Sequence, residues 1–273
     1  RALARRRMRR LAAAVAVALA VDAPVAAEDC APCTVTGGTY VTAAPPDWDA
    51  GTSLGLLVVF HGYGASGDAV LADARLREIA AAHDRLLVAP DGAANARGRR
   101  SWAHQGSPSQ NRDEPAFVDA GLADVRGRFP VTDAAPVFVG FSQGGSMVWD
   151  LACRRGGAFG RYLAVAGGFW EPMPERCASP VGELVHVHGL DDAVVPLEGR
   201  PIGGRWRQAD IFAGLARFEA AAGCAATPDR LEALGALHCR RWERCDAGEL
   251  ALCLHAGGHS FELAPLEALL ADG

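Results

Sequence analysis

The chain contains no lysine, so each of its 27 basic residues is arginine. Alanine is abundant, and the missing lysine reads as a composition bias rather than a functional device. A second absence is any basic run or stripe beyond residue 10. That removes the electrostatic footprint expected of a nucleic-acid-binding protein. Also missing is an apolar run near the ~20 residues that a membrane-spanning helix needs. The N-terminal apolar run, residues 11–21, has only 11. No internal repeat, low-complexity linker or composition break divides the chain. With 273 residues, 50% of them hydrophobic, it is long enough to build one full core.

What is present at the N-terminus is a leader-like pattern. Arg5, Arg6, Arg7, Arg9 and Arg10 precede the apolar run, and Val25-Ala26-Ala27 follows it. A basic region, a short apolar region and small residues at −3 and −1 predict a secretory signal peptide over residues 1–27. Residues 28–273 are then expected to form a single catalytic domain, delivered to the periplasm or the extracellular space and free of the membrane. Removing residues 1–27 takes away six Arg and one Asp, which leaves 21 basic and 31 acidic residues and a net charge of −10. That balance argues against an anionic polymer as substrate.

All eight cysteines lie in the mature part: Cys30, Cys33, Cys153, Cys177, Cys224, Cys239, Cys245 and Cys253. An even count behind a signal peptide predicts disulfides. Cys30 and Cys33 have the spacing of zinc ligands, but no second C-x-x-C accompanies them, and no metal is expected. Order along the chain suggests pairs 30–33 and 153–177, with two bridges among the remaining four.

Apolar runs and helical periodicity alternate. Strands are expected at 39–42, 54–60, 86–89, 137–139, 162–166, 184–188, 238–242 and 250–255. Helices are expected at 70–83, 114–129, 146–153, 208–222 and 265–271. Residues 93–113 are polar and rich in Gly, Ser and Arg, a long loop expected beside a site. Alternating β and α elements with unbroken apolar strands imply an α/β fold with a mostly parallel central sheet and helices on both faces.

Within this pattern, Gly140-Phe141-Ser142-Gln143-Gly144 stands between a strand and a helix. Strand, G-x-S-x-G, helix is the nucleophile elbow of an α/β-hydrolase. The sharp turn projects the serine hydroxyl outward, and its tightness requires glycine at 140 and 144. A serine hydroxyl needs a base, and the base needs a carboxylate to orient it. In this fold the order is Ser, then Asp or Glu, then His. After Ser142 the chain offers Asp191 and Asp192 in the segment that follows the 184–188 strand. It then offers His259 in Gly257-Gly258-His259, after the 250–255 strand. Both lie beyond strand C-terminal ends, where active sites of open α/β sheets sit. One of the two aspartates is a turn residue. His255, His186 and His188 are strand residues, and no further ligand is spaced to make the last two a metal site. For the oxyanion, the donors expected are the backbone N–H groups of Gln143 and Tyr63, with Gly64 next. His61 is expected to be a buried organiser of its loop. Trp102, Trp170 and Trp206 are weaker candidates for a substrate-binding wall.

The set HGYGAS, APDG, GFSQGG, HGLDDAVVP and GGHSF, in this order, resembles secreted polyhydroxybutyrate-depolymerase-like esterases. These are close to the feruloyl and acetylxylan esterases. The resemblance covers roughly residues 35–265. It implies Ser142 as nucleophile, His259 as base and Asp192, rather than Asp191, as acid. It also implies paired cysteines at 153 and 177 and a cysteine-rich stretch over 224–253. No cofactor is implied. Depolymerases that attack crystalline polymer add a linker and a binding domain, which are absent between residues 1 and 273. The expected substrate is therefore a small-molecule or oligomeric ester, such as a hydroxyalkanoate oligomer, cleaved by a monomer. A feruloyl or acetylxylan esterase is the alternative, and a non-catalytic binding protein on the same fold is the reading from a different class.

Overall fold

The continuous apolar runs assemble into one ten-stranded sheet in a computed structural model that describes residues 30–158 and 160–271. The expected leader falls outside the described residues. In chain order the strands are β1 (Cys33–Val35), β2 (Gly38–Ala43), β3 (Gly55–Phe60), β4 (Arg85–Pro90), β5 (Ala93–Ala94), β6 (Arg100–Ser101), β7 (Val137–Phe141), β8 (Arg161–Val165), β9 (Glu183–Gly189), β10 (Arg200–Ile202), β11 (Trp206–Gln208), β12 (Arg230–Leu234), β13 (Leu237–Trp242) and β14 (Glu249–His255). The helices are α1 (Gly67–Ala72), α2 (Ala74–Ala82), α3 (Glu114–Arg128), α4 (Gln143–Arg155), α5 (Ile211–Ala222) and α6 (Ala264–Ala271).

The sheet order is β1-β2-β4-β3-β7-β8-β9-β14-β13-β12. The strands from β4 to β14 run parallel, and antiparallel strands flank both edges. Buried parallel strands need both faces apolar, and β3 and β4 have no exposed position. One face packs Phe117, Leu122 and Val125 of α3, Met147 and Leu151 of α4, and Leu215 and Phe218 of α5. The other packs Val70 of α1, Leu76 and Ala80 of α2, and Leu266, Leu269 and Leu270 of α6. This is the α/β-hydrolase arrangement, with helices on both faces.

Several elements differ from the sequence expectation, among them the short strands β1, β5 and β6. The helix expected at 70–83 is two helices, because Asp73 is extended (φ −71°, ψ 109°) and its carboxylate accepts the Arg75 N–H to cap the second. The helix expected from 208 begins at Ile211, where Asp210 caps the Ala213 N–H. Residues 206–208 instead pair with 200–202 in a hairpin. Strand β12 (RLEAL) at the sheet edge lies where the sequence predicts none, because it has no strong apolar run. The cysteines pair as 30–33, 153–177, 224–245 and 239–253. The last bridge joins directly opposed residues on β13 and β14.

Candidate active site

Ser142 stands between β7 and α4 with φ 56° and ψ −119°, a region that non-glycine residues rarely occupy. The fold enforces that strain through close packing. A Cβ on Gly140 would overlap the Gly144 carbonyl, and one on Gly144 would overlap the Phe60 carbonyl. These contacts give the two glycines of the motif their physical reason. An N-cap serine ordinarily accepts a hydrogen bond from the first helical turn. Ser142 makes no such side-chain cap. Its Oγ lies instead 3.0 Å from Nε2 of His259.

His259 Nδ1 lies 2.7 Å from Oδ2 of Asp192. A carboxylate only accepts, so Nδ1 carries the proton and Nε2 is left bare toward the Ser142 hydroxyl. Asp192 is buried, and its other oxygen takes the backbone N–H groups of Val194 (2.9 Å) and Val195 (2.8 Å). Asp191 is exposed, and its backbone N–H donates to the Gly257 carbonyl at 3.1 Å. The His259 ring packs on Phe141, with centroids 4.8 Å apart, and Phe141 stacks on Phe261. The structure thus brings Ser142, His259 and Asp192 into one hydrogen-bonded row at the C-terminal ends of β7, β14 and β9.

The loop after β3 reaches the same end. Its Gly62 lies against Ser142: a Cβ there would stand 3.6 Å from the serine Cβ. The Gly64 N–H is committed to the Arg100 carbonyl at 2.8 Å, which removes it as an anion donor. The Tyr63 N–H has no backbone acceptor among the described residues, and Gln143 opens α4 with its N–H in the unpaired first turn. His61 is buried; its Nε2 accepts the Gly92 N–H at 2.9 Å and its Nδ1 faces the Gly62 carbonyl at 2.7 Å. Burial pushes this imidazole below the usual histidine range.

Trp102 does not line a substrate wall. It is wholly buried: its indole N–H donates to the His61 carbonyl at 2.8 Å and its ring meets Phe60 edge-on. A buried indole needs an acceptor, and this one props the loop that carries Tyr63. Trp170 is 9% exposed and packs against His104. Trp206 is half-buried on the β10–β11 hairpin beneath the Arg205 guanidinium. None of the three touches the Ser142–His259–Asp192 row among the described contacts.

Sequence reasoning missed the device that pins residues 93–113. Nε and Nη2 of Arg112 donate to Oε2 of Glu114 at 3.0 and 2.7 Å, and Oε1 of Glu114 takes the Ala103 N–H at 2.8 Å. Arg112 also donates to the Asp91 and Gly37 carbonyls. Burial raises the Glu114 carboxyl, and the arginine opposes that rise. The signal in the sequence is only an Arg and a Glu two residues apart, which is too common to single out. His186 and His188 hydrogen-bond to each other, and no group of three His, Cys, Asp or Glu suited to a metal occurs among the described residues. His255 is buried, and its Nδ1 accepts the Gly257 N–H.

No family model matches the chain. Curated relatives do, among them two feruloyl esterases C. A probable feruloyl esterase C from Aspergillus niger is 28% identical over 170 residues, covering 60% of this chain and 58% of that protein. A feruloyl esterase C from Emericella nidulans is 30% identical over 171 residues, again covering 60% and 58%. The chain therefore spans somewhat under two thirds of the length of these relatives. Among solved structures, an acetyl xylan esterase from Aspergillus awamori superposes with a TM-score of 0.61 at 11% identity, covering 86% of this chain and 94% of that one. A Bacillus cereus carboxylesterase gives 0.55 at 12% identity, with 86% and 92% covered. At such identities the structural likeness speaks for the fold.

Proposed function

We propose that this chain, a feruloyl esterase-like α/β-hydrolase by fold and sequence kinship, is a secreted serine carboxylic-ester hydrolase acting on hydroxycinnamate-type esters. The observation that carries this reading is the row Ser142 Oγ–His259–Asp192, with separations of 3.0 and 2.7 Å. His259 takes the Ser142 proton as Oγ attacks the ester carbonyl. The backbone N–H groups of Gln143 and Tyr63 receive the developing oxyanion, and the positive end of α4 adds to their field. His259 then protonates the departing alcohol, leaving an acyl-serine. A water deprotonated by the same imidazole resolves that ester. Asp192 holds the ring in the required tautomer and stabilises its charged form. No metal or organic cofactor enters this chemistry.

The feruloyl reading takes precedence over the hydroxyalkanoate reading that the motifs alone suggested, because curated relatives carry the feruloyl name. It also suits the rim of the site. Tyr63, Leu190 and Val194 are exposed apolar side chains on the loops that carry the candidate oxyanion donor and Asp192. The test is initial rates on methyl ferulate, p-nitrophenyl acetate and butyrate, and 3-hydroxybutyrate oligomers, with wild type and Ser142→Ala. Ser142-dependent turnover led by methyl ferulate is expected. Preference for the oligomers would move the substrate class to polyesters. Failure of a fluorophosphonate to label Ser142, with no turnover of any ester, would sink the enzyme reading in favour of a binding protein.

A further inference from the structure

Behind Asp192 lies a buried histidine pair that the proposed reaction does not use. His186 and His188 stand two residues apart on β9, so their side chains leave the same face of the sheet. Both are fully buried. His188 Nε2 lies 2.7 Å from the Val195 carbonyl, and His188 Nδ1 lies 2.9 Å from His186 Nε2. A carbonyl accepts only, so the His188 proton sits on Nε2 and its Nδ1 is bare. That bare nitrogen must accept from His186 Nε2–H. The chain of bonds therefore has one direction, from His186 through His188 to Val195.

Val195 returns the bond to the site, since its N–H donates to Asp192 Oδ1 at 2.8 Å. His188 Nε2 also stands 3.5 Å from Asp192 Oδ2, the oxygen that meets His259. One imidazole thus holds the carbonyl side of the 192–195 turn and faces the carboxylate directly. The titratable groups around it are His186, Asp192, His255 and His259. From α4 the contact is the uncharged ring of Trp149 against His186. Burial keeps both imidazoles below the usual histidine range, His186 far below it, so the neutral, directional arrangement holds at neutral pH.

We propose that His188, its proton held on Nε2 by the Val195 carbonyl and its bare Nδ1 satisfied by His186, is a positioning residue that clamps the 192–195 turn and aims Asp192 at His259. The inference rests on the serine-esterase reading of the same site.

Three variants separate the parts. His188→Leu removes the N–H, His188→Gln offers an amide N–H of similar reach, and His186→Leu keeps the His188 N–H but removes the donor to its Nδ1. The readouts are kcat and KM on p-nitrophenyl acetate and the far-downfield proton resonance of His259 Nδ1–H, which needs no substrate. For His188→Leu we expect kcat to fall about 10–100-fold with little change in KM, as for a small misplacement of a reacting group. The resonance should broaden or vanish, and His188→Gln should recover both. His186→Leu should fall between. In an Asp192→Asn background, His188→Leu should cost nothing more, because its effect runs through that carboxylate. An additive loss in that background, or an unchanged resonance in His188→Leu, overturns the proposal. Should His188→Leu fail to fold, His186→Leu and His188→Gln carry the same comparison. If the wild type turns over no ester, the serine-esterase reading fails, while the resonance still decides whether His188 positions Asp192.

Discussion

Adjacent aspartates with opposite environments make the sharpest comparison at the scale of single residues. Asp192 is buried, takes two backbone N–H groups and faces His259 at 2.7 Å, whereas Asp191 is exposed. Replacing Asp192 by Asn keeps the shape but removes the charge that selects the His259 tautomer. We expect kcat to fall about 10³–10⁴-fold in Asp192→Asn and to stay near wild type in Asp191→Asn, measured by steady-state hydrolysis of p-nitrophenyl acetate. The reverse pattern would move the acid by one residue. Much of this site was legible in the sequence, because Ser142 and His259 sit in local glycine frames and the order Ser, Asp, His is fixed by the fold. The choice between Asp191 and Asp192 was not legible from the residues alone. It turns on which carboxylate enters the sheet end, and that depends on the course of the 189–196 turn, which points Asp192 at His259. Trp102 misled for a related reason: an aromatic in a polar loop reads as a surface group until its indole N–H is seen to end on the His61 carbonyl.

The element that most shapes the surroundings of the site is the 93–113 segment, read from sequence as a plain loop. It folds back through the β5–β6 hairpin and is locked by Arg112 and Glu114, whose side chains are 7% and 0% exposed. Breaking a buried pair from one side leaves an uncompensated charge and, here, an unsatisfied Ala103 N–H. Glu114→Ala should therefore lower stability by about 3 kcal/mol, read as a shift of the urea midpoint at constant slope. Because Trp102 in this segment props the Tyr63 loop, the same variant should also lower kcat. Full activity with the stability loss would confine Glu114 to a structural part. Long apolar strands such as β3 and β4 were plain in the sequence because both faces are covered. The break at Asp73 and the edge strand β12 were not, since one depends on a single cap and the other on pairing to a neighbour.

Across the whole molecule, burial of neutral histidine sets a response to acid. His61, His104, His186 and His188 are all buried, and burial lowers each imidazole below its usual range. His104 has the clearest case: its pKa is pushed down to about 4, its Nε2 has no hydrogen-bond partner among the described residues, and its ring lies against Trp170. In the unfolded chain the same imidazole titrates near 6.5. Below that pH the unfolded state binds a proton that the native state refuses, so stability is full above about pH 6.5 and falls as the pH drops toward 4. A shift of this size corresponds to about 3 kcal/mol from His104 alone. Glu114 and Asp150 act in the opposite sense, because burial raises their folded-state values and the native state then holds protons that the unfolded state gives up sooner. The two effects overlap at the acid end, and wild-type stability against pH reports only their sum. His104→Phe isolates one of them, since it keeps a ring beside Trp170 and removes the titrating nitrogen. Urea denaturation at pH 7 and at pH 4.5 should show wild type losing markedly more stability between the two than His104→Phe. Equal losses would mean that His104 takes up its proton in the folded protein and that acid sensitivity arises from the other buried groups.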